Sequence, residues 1–330
     1  MKNFQEILQN AIAARADLFD EKHQSAFRLF NGFLEGNPDI AIDLYAQTVI
    51  IHNYADSPTD GEIFVEATRA FLLDEFDWLK AIIVKTRKGE TPEQKNGVLI
   101  FGGKAGDRIR EHGVWYAVDL MMNRDASLYL DTRNLRAWAI ANLAGKTVLN
   151  TFAYTGSLGV ASQAAGAERV VQSDLSRKFL NVAKRSYTLN GFPIHKKDFQ
   201  SADFWAHANR LKREGELFDC VYLDAPFFAE TRKGRIDLSE NSARLINKVR
   251  PLVTNEGYLV AINNALFVSG TEYMQTLEEL CEDGYLEVEQ LIPVPEDFTG
   301  YKGTRVSNPP VDPAPFNHST KIAILKVKRK

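Results

Sequence analysis

Short apolar runs alternate with amphipathic stretches through the second half of the chain. Thr147-Val-Leu149, Glu168-Arg-Val-Val-Gln-Ser-Asp174, Phe218-Asp-Cys-Val-Tyr-Leu-Asp224 and Gly257-Tyr-Leu-Val-Ala-Ile-Asn-Asn264 read as buried strands. Residues 160–167 and 175–190 read as helices, the second with Phe179, Leu180, Ala183 and Tyr187 on one side. Strands separated by helices predict a parallel α/β sheet, which Lys321-Ile-Ala-Ile-Leu-Lys-Val327 would complete. The first third is mixed. A helix is expected over residues 4–18, a hairpin over 40–45 and 48–54, a helix over 63–79 and a strand over 81–86. Residues 115–120 and 127–131 read as two further strands around the turn Asn123-Arg-Asp125.

The stretch Thr147-Val-Leu-Asn-Thr-Phe-Ala-Tyr-Thr-Gly-Ser-Leu-Gly159 turns from strand into helix through Gly156 and Gly159. Such a turn aims backbone N–H groups and a helix N-terminus into the crevice where doubly wound sheets bind ligands. The glycine spacing is not that of the dinucleotide fingerprint, so a nicotinamide cofactor loses its support. Asp174 ends the second strand about twenty residues beyond the turn, a spacing at which a carboxylate can hold both hydroxyls of a ribose. Asp198 and Asp224 are read as closing the next two units, and their common placement favours an adenosine-type ligand. Each acid alone could equally be a helix cap.

Composition narrows the class. The 330 residues allow two domains, and 45% hydrophobic with 25% charged is ordinary for a soluble globular protein. Neither a membrane span nor a secretory leader is visible. The two cysteines, Cys220 and Cys281, are expected as free thiols in a cytoplasmic protein and exclude a multi-cysteine zinc site. A net charge of −3 means that any nucleic-acid surface must be a local basic patch. Lys85-Thr-Arg-Lys88 and Lys104-Ala-Gly-Asp-Arg-Ile-Arg110 are the candidates in the first third, with solvated loop charge as the plainer explanation.

Tyr129-Leu-Asp-Thr-Arg133, Leu149-Asn-Thr-Phe-Ala-Tyr-Thr-Gly156, Ser173-Asp-Leu-Ser176 and Asp224-Ala-Pro-Phe227, in this order, resemble the bacterial 23S rRNA methyltransferases of the class I, S-adenosylmethionine-dependent type. The resemblance extends over residues 27–324. It implies a seven-stranded Rossmann-like methyltransferase sheet, over residues 111–330, preceded by a smaller N-terminal α+β domain, over 1–110, for substrate recognition. It also implies S-adenosylmethionine as methyl donor. Arg133 would sit near the donor's carboxylate, Phe152, Tyr154, Thr155 and Gly156 would shape the pocket, Asp174 and the neighbouring Leu175 would hold the ribose side, and Asp198 the adenine amino group. Members of that group often carry an RNA-binding domain in front, for which the chain begins too late.

Asp224, Pro226 and Phe227 fall where such enzymes position the acceptor, and Phe228 could stack on a base. The family has proline where this chain has Ala225. Cytosine-C5 methylation needs a cysteine nucleophile, but the matching stretch holds Asn263 and Asn264, and Cys220 reads as core. The resemblance then implies a base nitrogen of ribosomal RNA as the acceptor, with Asn263 and Asn264 either reading the base edge or capping the strand end, and Arg232, in the loop Arg232-Lys-Gly-Arg235, either touching phosphate or standing in a solvated loop. A methyltransferase acting on a protein or small molecule, or a non-catalytic RNA-binding module, are the alternatives. The oligomeric state stays open.

Overall fold

The computed structural model describes residues 2–231 and 234–329. The chain forms two units. The first runs through Leu130 and takes in Pro295–Asn308; the second holds Asp131–Val294 and Pro309–Lys330. The boundary expected near residue 110 therefore falls inside the first unit.

In the first unit the elements are α1 (Lys2–Ala13), β1 (Ala26–Phe30), β2 (Ile40–Tyr45), β3 (Thr48–Asn53), α2 (Pro58–Glu75), β4 (Ala81–Thr86), α3 (Pro92–Asn96) and β5 (Val98–Phe101). Five strands pair in the order β1-β2-β3-β4-β5. Only β3 and β4 are parallel, because α2 carries the chain back between them. Phe4, Leu8 and Ile12 of α1 and Val65 and Leu72 of α2 share one apolar core with Leu29, Ile42, Ile51 and Ile82 of the sheet. A hairpin of β6 (Arg108–Glu111) and β7 (Val114–Ala117) follows.

The strand expected over residues 127–131 does not form. Its neighbourhood bonds through side chains instead of a ladder: Ser127 Oγ accepts from Asp119 N–H at 2.6 Å, and Leu128 C=O accepts from Tyr45 Oη at 2.9 Å. Lys85 Nζ donates to the carbonyls of Asn123 at 2.7 Å and Asp125 at 3.3 Å. This corrects Lys85 as an RNA-facing charge, since it is buried and engaged within its own unit.

The returning segment is anchored by polar groups. Arg15 and Glu35 form an ion pair with both side chains at 0% exposure. Arg15 also donates to the carbonyls of Ala11 and Asp297, while Asp297 Oδ2 accepts from Arg28 N–H at 2.9 Å. Arg28 lies over the Phe298 ring, and Val306 N–H reaches Leu34 C=O at 2.8 Å.

The second unit contains α4 (Arg133–Asn142), β8 (Thr147–Thr151), α5 (Ser157–Ala164), β9 (Arg169–Asp174), α6 (Arg177–Leu189), β10 (Phe199–Ser201), α7 (Phe204–Glu214) and β11 (Phe218–Leu223). It continues with the hairpin β12 (Phe228–Thr231) and β13 (Gly234–Asp237), then α8 (Ser242–Val249), β14 (Val253–Asn263), α9 (Gly270–Cys281), β15 (Leu286–Leu291) and β16 (Lys321–Val327). Seven strands pair in the order β10-β9-β8-β11-β14-β16-β15, with β16 antiparallel to both of its neighbours. This is the Rossmann-like methyltransferase sheet. Its order reverses between β8 and β11, so the crevice at their carboxyl ends is where such a sheet receives a ligand.

The two faces of this sheet differ. Leu149, Val171, Val221, Leu223, Leu259 and Leu325 share a core with α7, α8 and α9. The alternate positions Asn150, Gln172 and Tyr222 are buried on the other face. There Asn150 Nδ2 donates to Gln172 Oε1 at 2.9 Å, and Tyr222 Oη meets Ser162 Oγ of α5 at 3.1 Å.

Candidate functional site

The turn after β8 is held in an unusual shape. Phe152, Tyr154 and Gly156 all have positive φ, at 52°, 51° and 79°. Two of the three are not glycine, so surrounding contacts must enforce the conformation. Ala153 N–H donates to Ser173 C=O at 2.9 Å, Tyr154 N–H to Asp174 Oδ2 at 2.8 Å, and Gln172 Nε2 to Gly156 C=O at 3.2 Å. Gly156 is the N-cap of α5 and supplies no side-chain cap. The first N–H groups of α5 are therefore left to whatever anion enters the crevice. Gly159 is required for space: a Cβ there would lie 2.3 Å from Gln172 Nε2. Gln172 and Asn150 went unnoticed in the sequence, because only the pairing of β8 with β9 sets them side by side.

Asp174 stands at the tip of β9, with Oδ1 accepting from Ser176 N–H at 2.8 Å. Burial raises its pKa, while the N–H groups of Ser176 and Tyr154 oppose the rise. Each carboxylate oxygen keeps a further lone pair for a hydroxyl. Leu175, next in sequence, is 66% exposed. Tyr154 packs edge-on against Phe179 at 4.6 Å, and Phe152 stacks on Phe204 at 4.5 Å. Thr155 is buried, and Arg133 opens α4. Thr132 takes the cap position of that helix.

Asp198 departs from its expected place. It lies in a short 3₁₀ turn ahead of β10 rather than at a strand tip, and its Oδ1 accepts from Arg169 Nε at 2.9 Å. The carboxylate is thus buried and neutralised.

Asp224 follows β11 at the same edge of the sheet. Its pKa is pushed up to about 7, first by burial and then by the neighbouring Asp131 carboxylate. Asp131 is itself tethered, its Oδ2 accepting from Thr320 Oγ1 at 2.8 Å. Ala225 is fully buried, whereas Pro226, Phe227 and Phe228 are exposed, the two rings at 45% and 51%. Phe228 belongs to β12, and the Arg235 guanidinium lies 5.2 Å from its ring while pairing with Asp237 at 2.6 Å. Arg232 lies outside the described residues.

The two asparagines separate. Asn263 is 1% exposed, and its amide is committed: Nδ2 donates to Leu238 C=O and to Ser242 Oγ, and Oδ1 accepts from Ala265 N–H. The base-reading role expected for it is corrected to that of a brace for the segment after β14. Asn264 differs. Its Nδ2 reaches Ala225 C=O at 3.5 Å, but its Oδ1 is buried without a hydrogen-bond partner. Exchanging the two amide atoms would set Oδ1 against the Ala225 carbonyl, so the orphan is an acceptor. Cys220 is buried, with its thiol pKa raised by burial.

These features agree with a donor site. The uncapped start of α5 suits a carboxylate, the Asp174 oxygens suit ribose hydroxyls, and the exposed Leu175 suits an apolar ring face. Comparison with known proteins gives the same picture. A family model described as S-adenosylmethionine-dependent methyltransferase matches residues 102–299. A candidate ribosomal RNA large subunit methyltransferase of Bacillus subtilis (strain 168), YwbD, is 30% identical over 88% of this chain and 73% of its own. Ribosomal RNA large subunit methyltransferase I of Photobacterium profundum is 30% identical over 75% of this chain and 63% of its own, so the chain spans slightly less than two thirds of that relative. The solved structure of SMU.776, a candidate methyltransferase complexed with S-adenosylhomocysteine (SAH), superposes with a TM-score of 0.84 at 23% identity, covering 99% of this chain and 81% of that one. No helix among the described residues is long and apolar enough to cross a membrane.

Proposed function

Because this chain belongs to the S-adenosylmethionine-dependent methyltransferase family, we propose that it methylates a base nitrogen of ribosomal RNA, working in the cytoplasm. The observation that carries the reading is the buried, unpartnered Oδ1 of Asn264 beside the Asp224-Ala225 segment. A buried acceptor without a partner is costly, by about 1–3 kcal/mol, and asks for a donor from a ligand. Together with the Asp224 carboxylate it suits a group rich in N–H, such as the amide and amino edge of a purine. Exposed Phe227 and Phe228 suit the face of the same base, since base–aromatic stacking contributes about 1–3 kcal/mol.

S-adenosylmethionine supplies an electrophilic methyl group when bound. What this chain contributes is position: Asp174 and the start of α5 hold the donor, with Arg133 toward its carboxylate, while Phe152, Tyr154, Thr155, Gly156 and Leu175 shape its pocket. Asp198, already paired with Arg169, keeps acceptor capacity for an amino group. On the other side, Asp224 in its ionised form accepts a hydrogen bond from the acceptor base, or its proton, and Pro226 shapes the turn that presents Phe227. The absence of cysteine at positions 263 and 264, with Cys220 sealed in the core, favours direct nitrogen attack over a thiolate-assisted carbon reaction.

The test is methyl transfer from radiolabelled donor to protein-free large-subunit ribosomal RNA. Asn264→Ala and Asp224→Asn should each lower the rate at unchanged SAH affinity. Label entering protein or small molecules but not RNA would replace the reading with the broader methyltransferase one. SAH binding with no transfer to any acceptor would favour a non-catalytic RNA-binding module.

A further inference from the structure

From Arg177 to Lys197 the chain carries six lysines and arginines, one histidine and no aspartate or glutamate, within a protein whose net charge is −3. The helical repeat gathers most of these charges. Positions 177, 178, 181, 184, 185 and 188 fall within about one third of the circumference of α6. The opposite side, with Leu180, Val182, Ala183 and Tyr187, is buried in the unit. The stripe runs Arg177, Lys178, Asn181, Lys184, Arg185, Thr188, and the loop beyond adds exposed His195, Lys196 and Lys197.

A solvated helix face ordinarily mixes signs, because carboxylates one turn from lysine or arginine stabilise the helix. Here Asn181 stands one turn from both Arg177 and Arg185, and Thr188 one turn from Lys184. Among the described residues, Arg177, Lys178, Lys196 and Lys197 take part in no ion pair. Of the nearest acids in sequence, Asp198 is paired with Arg169 at 2.9 Å, and Asp174 turns its oxygens to the N–H groups of Tyr154 and Ser176 rather than to a basic side chain of α6. Phe179 fixes the helix against Tyr154 of the donor turn at 4.6 Å, so the stripe has a set position beside the site.

The geometry points to α6 and the segment 195–197 as a docking surface for the phosphate backbone of the RNA substrate. This rests on the RNA reading above and adds the surface that grips the RNA. Lysine and arginine neutralising phosphates release counterions, which makes binding salt-dependent without reading sequence.

The test measures binding of protein-free large-subunit ribosomal RNA against salt concentration. The parent is compared with the fourfold variant Arg177→Gln, Lys178→Gln, Lys196→Gln, Lys197→Gln. Four lost phosphate contacts should make the slope of log affinity against log salt shallower by about 3, at roughly 0.7 per contact on single strands. SAH affinity, measured by calorimetry, should match the parent and shows that the variant is folded. A control pair, Lys212→Gln with Arg213→Gln on exposed positions of α7, should leave the slope unchanged. A fourfold variant with the parent's slope overturns the docking surface while leaving the RNA reading intact. A parent that binds SAH but shows no salt-dependent RNA binding overturns both. Binding to anionic phospholipid vesicles in place of RNA would give the stripe to a membrane and overturn the proposal.

Discussion

Replacing Gly159 by alanine sets two effects against each other, and the structure decides the sign. Alanine inside a helix is favoured over glycine by about 1 kcal/mol. At Gly159, however, the added methyl would lie 2.3 Å from Gln172 Nε2 and 2.5 Å from its Cδ. Gln172 is fully buried and bridges Asn150 and the Gly156 carbonyl at 2.9 and 3.2 Å. Displacing it breaks two hydrogen bonds, each contributing about 1 kcal/mol, and strands a buried amide at about 1–3 kcal/mol more. Less the gain in helix propensity, the net destabilisation is about 2–4 kcal/mol. The thermal midpoint should fall by on the order of 5–10 °C, and SAH binding should weaken because Gly156 loses its anchor. Combining Gly159→Ala with Gln172→Ala removes the clash, so the double variant should be more stable than the sum of the single effects indicates. Thermal denaturation of the four proteins measures this. A Gly159→Ala protein as stable as the parent, or more so, refutes the reasoning.

Asp174→Ala should abolish SAH binding in calorimetry, because the carboxylate both holds the turn through Tyr154 N–H and offers the ribose acceptors; undiminished affinity would remove Asp174 from the donor site. Methyl transfer should rise as pH passes about 7, as Asp224 ionises, and Asp131→Asn should move that midpoint down by less than half of the distance to 3.8, since burial is the larger cause. A midpoint that Asp131→Asn leaves in place would contradict the pairing. For stability the sign is opposite: the Asp224 pKa in the fold lies above its ordinary 3.8, so its contribution is present at low pH and is lost as pH rises through about 7, and Asp224→Asn should flatten that part of the pH–stability curve. Glu35→Gln should destabilise the first unit by about 3–5 kcal/mol, because it leaves the buried Arg15 charge uncompensated; chemical denaturation showing under 1 kcal/mol would refute the claim, that threshold being the scale of an exposed pair.

The periodic elements were legible because burial on one or both faces writes itself directly into local pattern. The runs ending at Asp174, Asp224 and Asn264 became β9, β11 and β14, and the glycine-bearing turn before α5 formed as expected. The errors fell where a side chain replaces a ladder or where partners are far apart in sequence. Residues 127–131 have strand composition, yet Ser127, Tyr45 and Lys85 satisfy the local backbone groups and no strand partner arrives. Nothing local marks Pro295–Asn308 as part of the first unit, because its anchors are Arg15, Arg28, Asn31 and Glu35, more than two hundred and fifty positions earlier.

By itself the sequence determined the class of sheet and the placing of Asp174 and Asp224 at the ends of β9 and β11, since each depends on neighbours along the chain. Tertiary structure alone decided which polar groups are spent and which are left over. Strand pairing turned Gln172 into the wedge that demands Gly159. The loop after β13 consumed the amide of Asn263 while Asn264 kept an unanswered acceptor, two adjacent residues of identical chemistry. Burial, and after it the approach of Asp131, raised the pKa of Asp224. Hydrogen-bond satisfaction and charge interaction depend on distance in space, and a sequence states only distance along the chain.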